Sequence, residues 1–219
     1  TIASVFGGSN EIGDVNESNV YIRGGEILAL YGGNNIGGQT VTSNVTLYDG
    51  NVTDAYGGGK FASTNKTNIT LTNNALVENT YGGGQSADVV ESSNVFIDGG
   101  KTTNTYGGSN ITGSVTLANV TAKSGISSYI YGGNNAGGTT NKSDISIEGV
   151  STKEVYGGGN KADTTKSNVT ITKAKGVINY VFGGGKEASV ETTNVLVNGG
   201  SIKEVYGGSN QSGTVTNSN

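Results

Sequence analysis

The sequence predicts an all-β solenoid, a parallel β-helix in which short strands stack coil upon coil. An aromatic residue followed by two glycines recurs nine times, about every 25 residues, and a period of this length indicates a stacked repeat. Within each unit, apolar residues alternate with polar ones, which is the period of a strand. No stretch combines a 3.6-residue period with capping residues, so we expect no α-helix. The recurring aromatic residues are Phe6, Tyr31, Tyr56, Tyr81, Tyr106, Tyr131, Tyr156, Phe182 and Tyr206.

Each unit of about 25 residues is expected to form one coil with three short strands. Gly-Gly and the turn-forming residues after it predict the first turn. An alternating stretch such as Val20 to Ile22 predicts a strand, glycine follows it in most units, and a second apolar stretch such as Ile27 to Tyr31 runs into the next aromatic residue. A weaker strand is expected at small β-branched residues about nine positions after the aromatic residue: Val15, Val41, Val90, Val115, Thr140, Val190 and Val215. Nine coils at the strand spacing would form a rod about 40 Å long.

Asparagine recurs 12 or 13 positions after the aromatic residue, with Asp144 as the single exception. A side-chain amide both donates and accepts hydrogen bonds, so stacked amides can form a ladder like those of cross-β assemblies. We expect this column to be buried at a turn, with Asp144 as its weakest rung. The predicted ladder consists of Asn19, Asn44, Asn68, Asn94, Asn119, Asp144, Asn168 and Asn194. Such a ladder at a turn resembles that of right-handed parallel β-helices, and the resemblance, which covers the full chain, implies a single right-handed β-helix.

The aromatic column has two interpretations. Facing inward, the rings would stack in a corner of each coil, and Gly-Gly would allow the sharp turn beside them. Facing outward, they would form a surface stripe suited to sugars and proteins. Phe6 and Phe182 show that the hydroxyl is dispensable in two coils, which favours the interior. The residue before the aromatic is often apolar, and because neighbours on a strand face opposite sides, burial of both would require a bend between them.

Residues 1–219 are expected to form one solenoid domain with a second, longer repeat. Residues 106–110 and 206–210 both read Tyr-Gly-Gly-Ser-Asn, and residues 31–35 and 131–135 both read Tyr-Gly-Gly-Asn-Asn. The super-period is therefore 100 residues, or four coils, and duplication of a four-coil block explains it. The alternative is that every fourth coil presents one functional site. Because neither end resembles a cap, we expect the chain to be a fragment of a longer array.

Two other architectures fit less well. A β-propeller blade needs about 40 residues and four antiparallel strands, and the period here is shorter. Calcium-binding nonapeptide arrays need Gly-Gly-x-Gly-x-Asp every nine residues, and Gly7-Gly8-Ser9-Asn10 is not followed by such an aspartate rhythm.

The composition excludes several functions. The chain has no His or Cys, which removes the commonest acid–base and thiol chemistry. The net charge is −4 and no basic stripe exists, so nucleic acid is not an expected partner. No apolar run is long enough for membrane insertion. Absence of Cys, together with Asn-x-Ser/Thr sequons inside the predicted strands, favours a secreted bacterial protein.

Catalysis is not expected, and neither is a metal or a cofactor. Paired carboxylates could serve a glycosidase, but the candidate positions carry Ala, Asn, Thr or Lys in other coils, as solvent-facing positions would. The only arginine, Arg23, has no cluster of carboxylates around it in the sequence. Ice binding would need regular ranks of threonine, which charged residues interrupt. The carboxylates considered are Asp49, Asp54, Asp98, Glu154 and Glu204.

The chain is free of Cys, rich in Ser, Thr, Asn and Gly, and slightly acidic. With its repeat, it resembles the β-solenoid repeats of bacterial cell-surface adhesins and autotransporter passengers. The resemblance implies an extracellular segment at the bacterial cell surface, an adhesin or stalk that mediates attachment or display. Expected partners are glycans, host surface proteins and further copies joined through the solenoid ends. The alternative is a carbohydrate-active or phage tail-fibre β-helix.

Overall fold

The computed structural model describes residues 1–219 and contains thirteen β-strands and no helix. The predicted all-β solenoid of about nine turns at a spacing near 25 residues is confirmed. The strands are β1 (Ile2–Phe6), β2 (Val15–Tyr31), β3 (Thr40–Tyr56), β4 (Thr64–Tyr81), β5 (Val89–Tyr106), β6 (Ser114–Tyr131), β7 (Thr139–Ile147), β8 (Glu154–Tyr156), β9 (Thr164–Ile171), β10 (Val177–Phe182), β11 (Val190–Val197), β12 (Ser201–Tyr206) and β13 (Val215–Ser218).

Every strand pairs in parallel with its equivalent one coil away, so identical repeat positions stack. Tyr31 pairs with Tyr56, and Tyr56 in turn pairs with Tyr81. After β6 the sheet continues along two paths. One path runs through β7, β9, β11 and β13, and the other runs through β8, β10 and β12.

Two of the expected strands run together in the first half of the rod. In β2 to β6 a single strand of 17 or 18 residues covers both apolar stretches and bends where its register shifts. In β2 the shift lies between Arg23 and Glu26, at Gly24 and Gly25, whose φ angles of 150° and 93° suit glycine.

The expected weaker strand lies at the start of the same strands, with Val15 in β2 and Val41 in β3. The turn after Gly-Gly is held to its neighbours by backbone hydrogen bonds, such as Ile36 N to the Asn10 carbonyl at 3.1 Å, and by isolated bridges such as Ser86 with Thr112.

The core is a narrow aliphatic column inside the coils. It holds 24 buried residues. In the first stretch of each strand they lie two positions apart, as with Val45 and Leu47, whereas in the second stretch they lie three apart, as with Val52 and Ala55. The expected third-strand residues Val41 and Val90 do not belong to it, because both side chains are exposed. Their neighbours Thr40 and Val89 point inward instead. The spacing from the aromatic residue varies by one, and a shift of one residue reverses the face of a strand.

No helix in the structure has the length and apolar character needed to cross a membrane.

Candidate functional site

The nine aromatic rings form one continuous stack. Successive ring centroids lie 4.8–5.1 Å apart, and neighbouring ring planes differ by 4–10°. The seven rings from Tyr31 to Phe182 are buried and form a cluster separate from the aliphatic core. The structure thus brings all nine predicted column residues into one stack, and the seven buried rings form a second, aromatic core.

The aromatic column lies on the outer side of its strand and is nevertheless buried. Leu30, just before Tyr31, belongs to the aliphatic core, and a Cβ on Gly32, just after it, would lie 2.6 Å from Val45 Cγ2 of that core. Residues on either side of the ring therefore face inward, and the ring faces outward. The aromatic residue and the residue before it can therefore both be buried without a bend in the strand between them. The residue before it enters the aliphatic core, and the turn after Gly-Gly covers the ring. The column is therefore buried, as the interior interpretation expects, but it faces away from the aliphatic core, as the surface interpretation expects.

Polar side chains from the covering turns reach the tyrosine hydroxyls. Tyr31 Oη donates to Gln85 Oε1 at 2.9 Å, and Tyr56 Oη accepts from Asn110 Nδ2 at 2.8 Å. In both pairs the partner lies 54 residues further along the chain. Burial raises the pKa of Tyr106 to about 12. Burial, and then the nearby charge of Asp54, also raises the pKa of Tyr56.

The asparagine column forms a hydrogen-bonded ladder, with one break. In each bonded pair the Nδ2 of one rung donates to the Oδ1 of the preceding coil, at 2.6–3.1 Å. The eight predicted rungs lie inside the strands, on their outer face, and all of them but the exposed Asn19 are half-buried. The expectation that the column is buried at a turn is wrong. The inward-facing residue is the Ser or Thr before each rung, because adjacent strand residues face opposite sides.

The ladder breaks between Asn119 and Asp144. These residues pair in register, but a carboxylate has no proton to donate, so Asn119 Oδ1 receives no protein hydrogen bond. Asp144 Oδ1 accepts from Asn168 Nδ2 at 2.6 Å, and Asp144 Oδ2 forms an ion pair with Lys142 Nζ at 2.6 Å. The asparagine column is thereby divided into two separately bonded segments.

An open groove of about 450 Å³ lies beside this break, and we call it the ladder groove. One side carries the ladder residues Asn119, Asp144 and Asn168. The other side carries the next outward column, which includes Phe96, Thr121 and Ser146. Phe96 is 39% exposed.

A column of buried hydroxyls holds each strand to the turn beneath the aromatic ring, and sequence reasoning missed it. Ser43 Oγ donates to the Gly57 carbonyl at 2.5 Å, and Thr67 Oγ1 donates to the Gly82 carbonyl at 2.6 Å. The signal was present, because Ser or Thr precedes the ladder residue in every unit except at Ala118. The hydroxyls that make this bond belong to Ser18, Ser43, Thr67, Ser93, Ser143, Ser167 and Thr193.

The 100-residue super-period places a buried asparagine in every fourth turn. Asn34 Oδ1 accepts from Ser9 N at 2.7 Å and from Thr40 Oγ1 at 3.1 Å, while Nδ2 donates to the carbonyls of Gly13 and Gly37. Asn134 has the same surroundings one super-period later. In these coils the residue that recurs with the super-period, a buried asparagine, stabilises the turn.

The candidate carboxylates do not gather into one centre. Asp54 and Asp98 accept from Asn79 and Ser124 on the next coil, and Asp49 bonds the backbone N–H of Gly50. No three acidic side chains come together as a metal site.

Glu154 and Glu204 line one open groove, but both pair in register with Tyr180, so they lie two strand spacings apart, about 10 Å. Arg23 stands over the ring of Tyr48, with its guanidinium carbon 5.6 Å from the ring centroid. Such a contact between a cation and an aromatic face is a common surface interaction.

Comparison of the chain with models of known protein families gives no match. Comparison with curated proteins and with solved structures gives no significant match either.

Proposed function

We propose that this chain is a bacterial extracellular β-solenoid segment, an adhesin or stalk that mediates attachment or display. The observation that carries the proposal is the contrast between two adjacent columns of the same strands. The inward column contains only Val and Ile: Val20, Val45, Ile69, Val95, Val120, Ile145, Val169 and Val195. The outward column next to it varies: Tyr21, Thr46, Thr70, Phe96, Thr121, Ser146, Thr170 and Leu196. A constant interior with a varied exterior suits a scaffold that presents contact surfaces.

The continuous stacks favour a rod that keeps its shape. The aromatic column, the buried hydroxyls and the asparagine ladder each link every coil, or nearly every coil, to the next. In a repeat array each coil contacts only its neighbours, so length can grow without changing the fold. A rod of this kind can hold a neighbouring domain away from a surface while its own sides make contacts.

We propose that the segment acts without catalysis. The carboxylates considered above vary between coils and bond to neighbouring polar groups. Hydrolysis of a glycoside needs two carboxyl groups placed about the scissile bond, one of them protonated. Turnover of a polysaccharide that a single carboxylate substitution abolishes would contradict this part of the proposal.

The proposal is tested with the chain extended at both ends by polar capping coils, which prevents strand edges from associating. Binding to a glycan and host-protein array is measured for the parent chain. It is measured again for variants in which one outward column at a time is changed to Thr. Binding that is lost with one column supports an adhesin. Absence of binding, with exposure of a fused reporter domain depending on the number of coils, supports a stalk. Absence of both effects contradicts the proposal.

A further inference from the structure

We propose that the ladder groove binds a glycan, through hydroxyl groups that fill the break between Asn119 and Asp144. This inference rests on the proposed function and names a ligand class and a place for the contact. The break is the one position in the column where a half-buried amide oxygen faces another coil and receives no protein donor.

The two groups that face each other across the break are both hydrogen-bond acceptors. Asn119 Oδ1 has both lone pairs free, and each Asp144 oxygen keeps capacity after bonding Asn168 or Lys142. A ligand that enters here must therefore donate hydrogen bonds. Lys142 lies beside the same carboxylate and has further N–H groups, so a ligand that also accepts hydrogen bonds gains a contact. Sugar hydroxyl groups both donate and accept.

A metal ion fits this break less well than a hydroxyl group does. Calcium takes six to eight oxygen ligands, whereas the break offers one amide oxygen and one carboxylate. The Lys142 ammonium, 2.6 Å from Asp144 Oδ2, already neutralises that carboxylate and would repel a cation. A free anion would meet two acceptors and no unpaired amide donor.

The opposite wall of the ladder groove supplies an apolar face with hydroxyl groups beyond it. The exposed ring of Phe96 stacks in register with Thr121, and Thr121 stacks with Ser146. Ligand sites commonly combine an aromatic surface with a few placed polar groups. One sugar ring can contact the Phe96 ring while its neighbour along the rod axis reaches the break. The opening along the groove suits a chain better than a single small molecule.

A ligand site at the break would also explain why aspartate replaces asparagine in only one coil of the ladder. Asparagine at position 144 would complete the ladder, as it does in every other coil, so aspartate there gives up one hydrogen bond. The Asp144→Asn variant therefore separates stability from binding. The added ladder bond offsets the loss of the half-exposed ion pair with Lys142, so we expect the melting temperature to stay within about 2–4 °C of that of the parent chain. A loss of binding by this variant cannot be a consequence of unfolding.

The experiment measures binding to soluble dextran, mannan, xylan and laminarin by isothermal titration calorimetry, with calcium chloride as a separate arm. We expect at least one polysaccharide to bind the parent chain and calcium to produce no heat of binding. Asp144→Asn is expected to weaken polysaccharide binding about tenfold, as loss of a hydrogen bond to a charged group would. Phe96→Thr, which installs the residue found in the neighbouring coils, is expected to weaken it by a similar factor. Glu11→Gln, which removes the same charge in an exposed turn, should leave it unchanged.

Three results would overturn the inference: no polysaccharide binds, calcium alone binds, or Asp144→Asn binds as tightly as the parent chain. Polysaccharide binding that survives both groove variants but is lost when another outward column is changed would place the contact elsewhere. In that case the ladder groove would be rejected while the proposed adhesin function would stand. Failure of the proposed function itself shows in the array and reporter measurements, which do not depend on Asp144.

Discussion

The first glycine after each aromatic residue sits where no side chain fits. A Cβ on Gly82 would lie 2.2 Å from Ser93 Oγ and 2.5 Å from the Gly107 carbonyl oxygen. The Ser93 hydroxyl donates to the Gly107 carbonyl, and these two groups occupy the space that a side chain at position 82 would need. Its constancy in all nine units therefore has a packing cause and needs no ligand to explain it.

We expect Gly82→Ala to lower the free energy of unfolding by about 3 kcal/mol, because overpacking is combined with a displaced buried hydrogen bond. Gly208→Ala is the control, since nothing lies within 4 Å of a Cβ built there. Urea denaturation followed by circular dichroism measures both. Equal stability of the two variants would show that the turn beneath the ring has room to adjust.

The ladder offers a second comparison between two residues of the same type. Asn94 donates to Asn68, to the Thr67 carbonyl and to Ser92, and it accepts from Asn119. Asn119 only donates, to Asn94, because Asp144 has no proton to give it. Asn94→Ala should therefore cost about 1–2 kcal/mol more than Asn119→Ala, because it loses the bond accepted from Asn119 and the further donated bonds. Equilibrium unfolding in urea measures the difference. If the two variants are equally destabilised, the missing hydrogen bond at the break does not reduce what Asn119 contributes to the free energy of unfolding.

At the scale of strands and columns, the sequence predicted the period, the parallel stacking and the amide column, because each rests on a residue type that recurs. The sequence did not predict which of two neighbouring residues faces inward where both residues suit either face of the strand. Val41 and Thr40 are both small β-branched residues, but the register places Thr40 inside, where Asn34 satisfies its hydroxyl. The Ser and Thr before each rung were missed for a related reason. A buried hydroxyl needs a known acceptor, and the glycine carbonyls come close only after the coil has closed.

The tyrosine column predicts a loss of stability in alkali. Burial raises the pKa of Tyr106 to about 12, above the value near 10 of an unfolded chain. The folded state therefore keeps its proton in a pH range where the unfolded state has lost it. The stabilisation is fully present below pH 10 and is lost as the pH rises from there towards 12. Each such tyrosine lowers the free energy of unfolding by about 1.4 kcal/mol per pH unit in this window.

Denaturant titrations at pH 8, 10 and 11 measure this slope. Tyr106→Phe keeps the ring stack and removes one ionisable group, so its slope above pH 10 should be smaller than that of the parent chain. A parent chain whose stability does not change between pH 8 and pH 11 would mean that the rings ionise freely in the folded state.

At the scale of the whole molecule, coils should be removable in blocks that keep the register. Tyr31 and Tyr131 open equivalent coils, and Asn34 and Asn134 hold their turns in the same way. Deleting residues 31–130 therefore joins Leu30 to Tyr131 without disturbing the repeat. We expect the shortened chain to fold with the same circular dichroism per residue and a lower melting temperature, because fewer coil interfaces remain. Deleting residues 31–118 instead joins Leu30 to Asn119 out of register, so β1 and the rest of β2 should lose their pairing and the melting temperature should fall further. Equal behaviour of the two deletions would contradict coil-by-coil stacking.

The amide ladder also gives the rod a direction. Every bond in it runs from the Nδ2 of one coil to the Oδ1 of the coil before, so one side of any coil offers donors and the other side offers acceptors. A further coil, whether from this chain or another, can continue the column only when it is stacked the same way up. A coil presented upside down would set donor against donor or acceptor against acceptor. The rod is polar in the sense that a filament is polar, and head-to-head joining would leave the amide ladder unmatched at the joint.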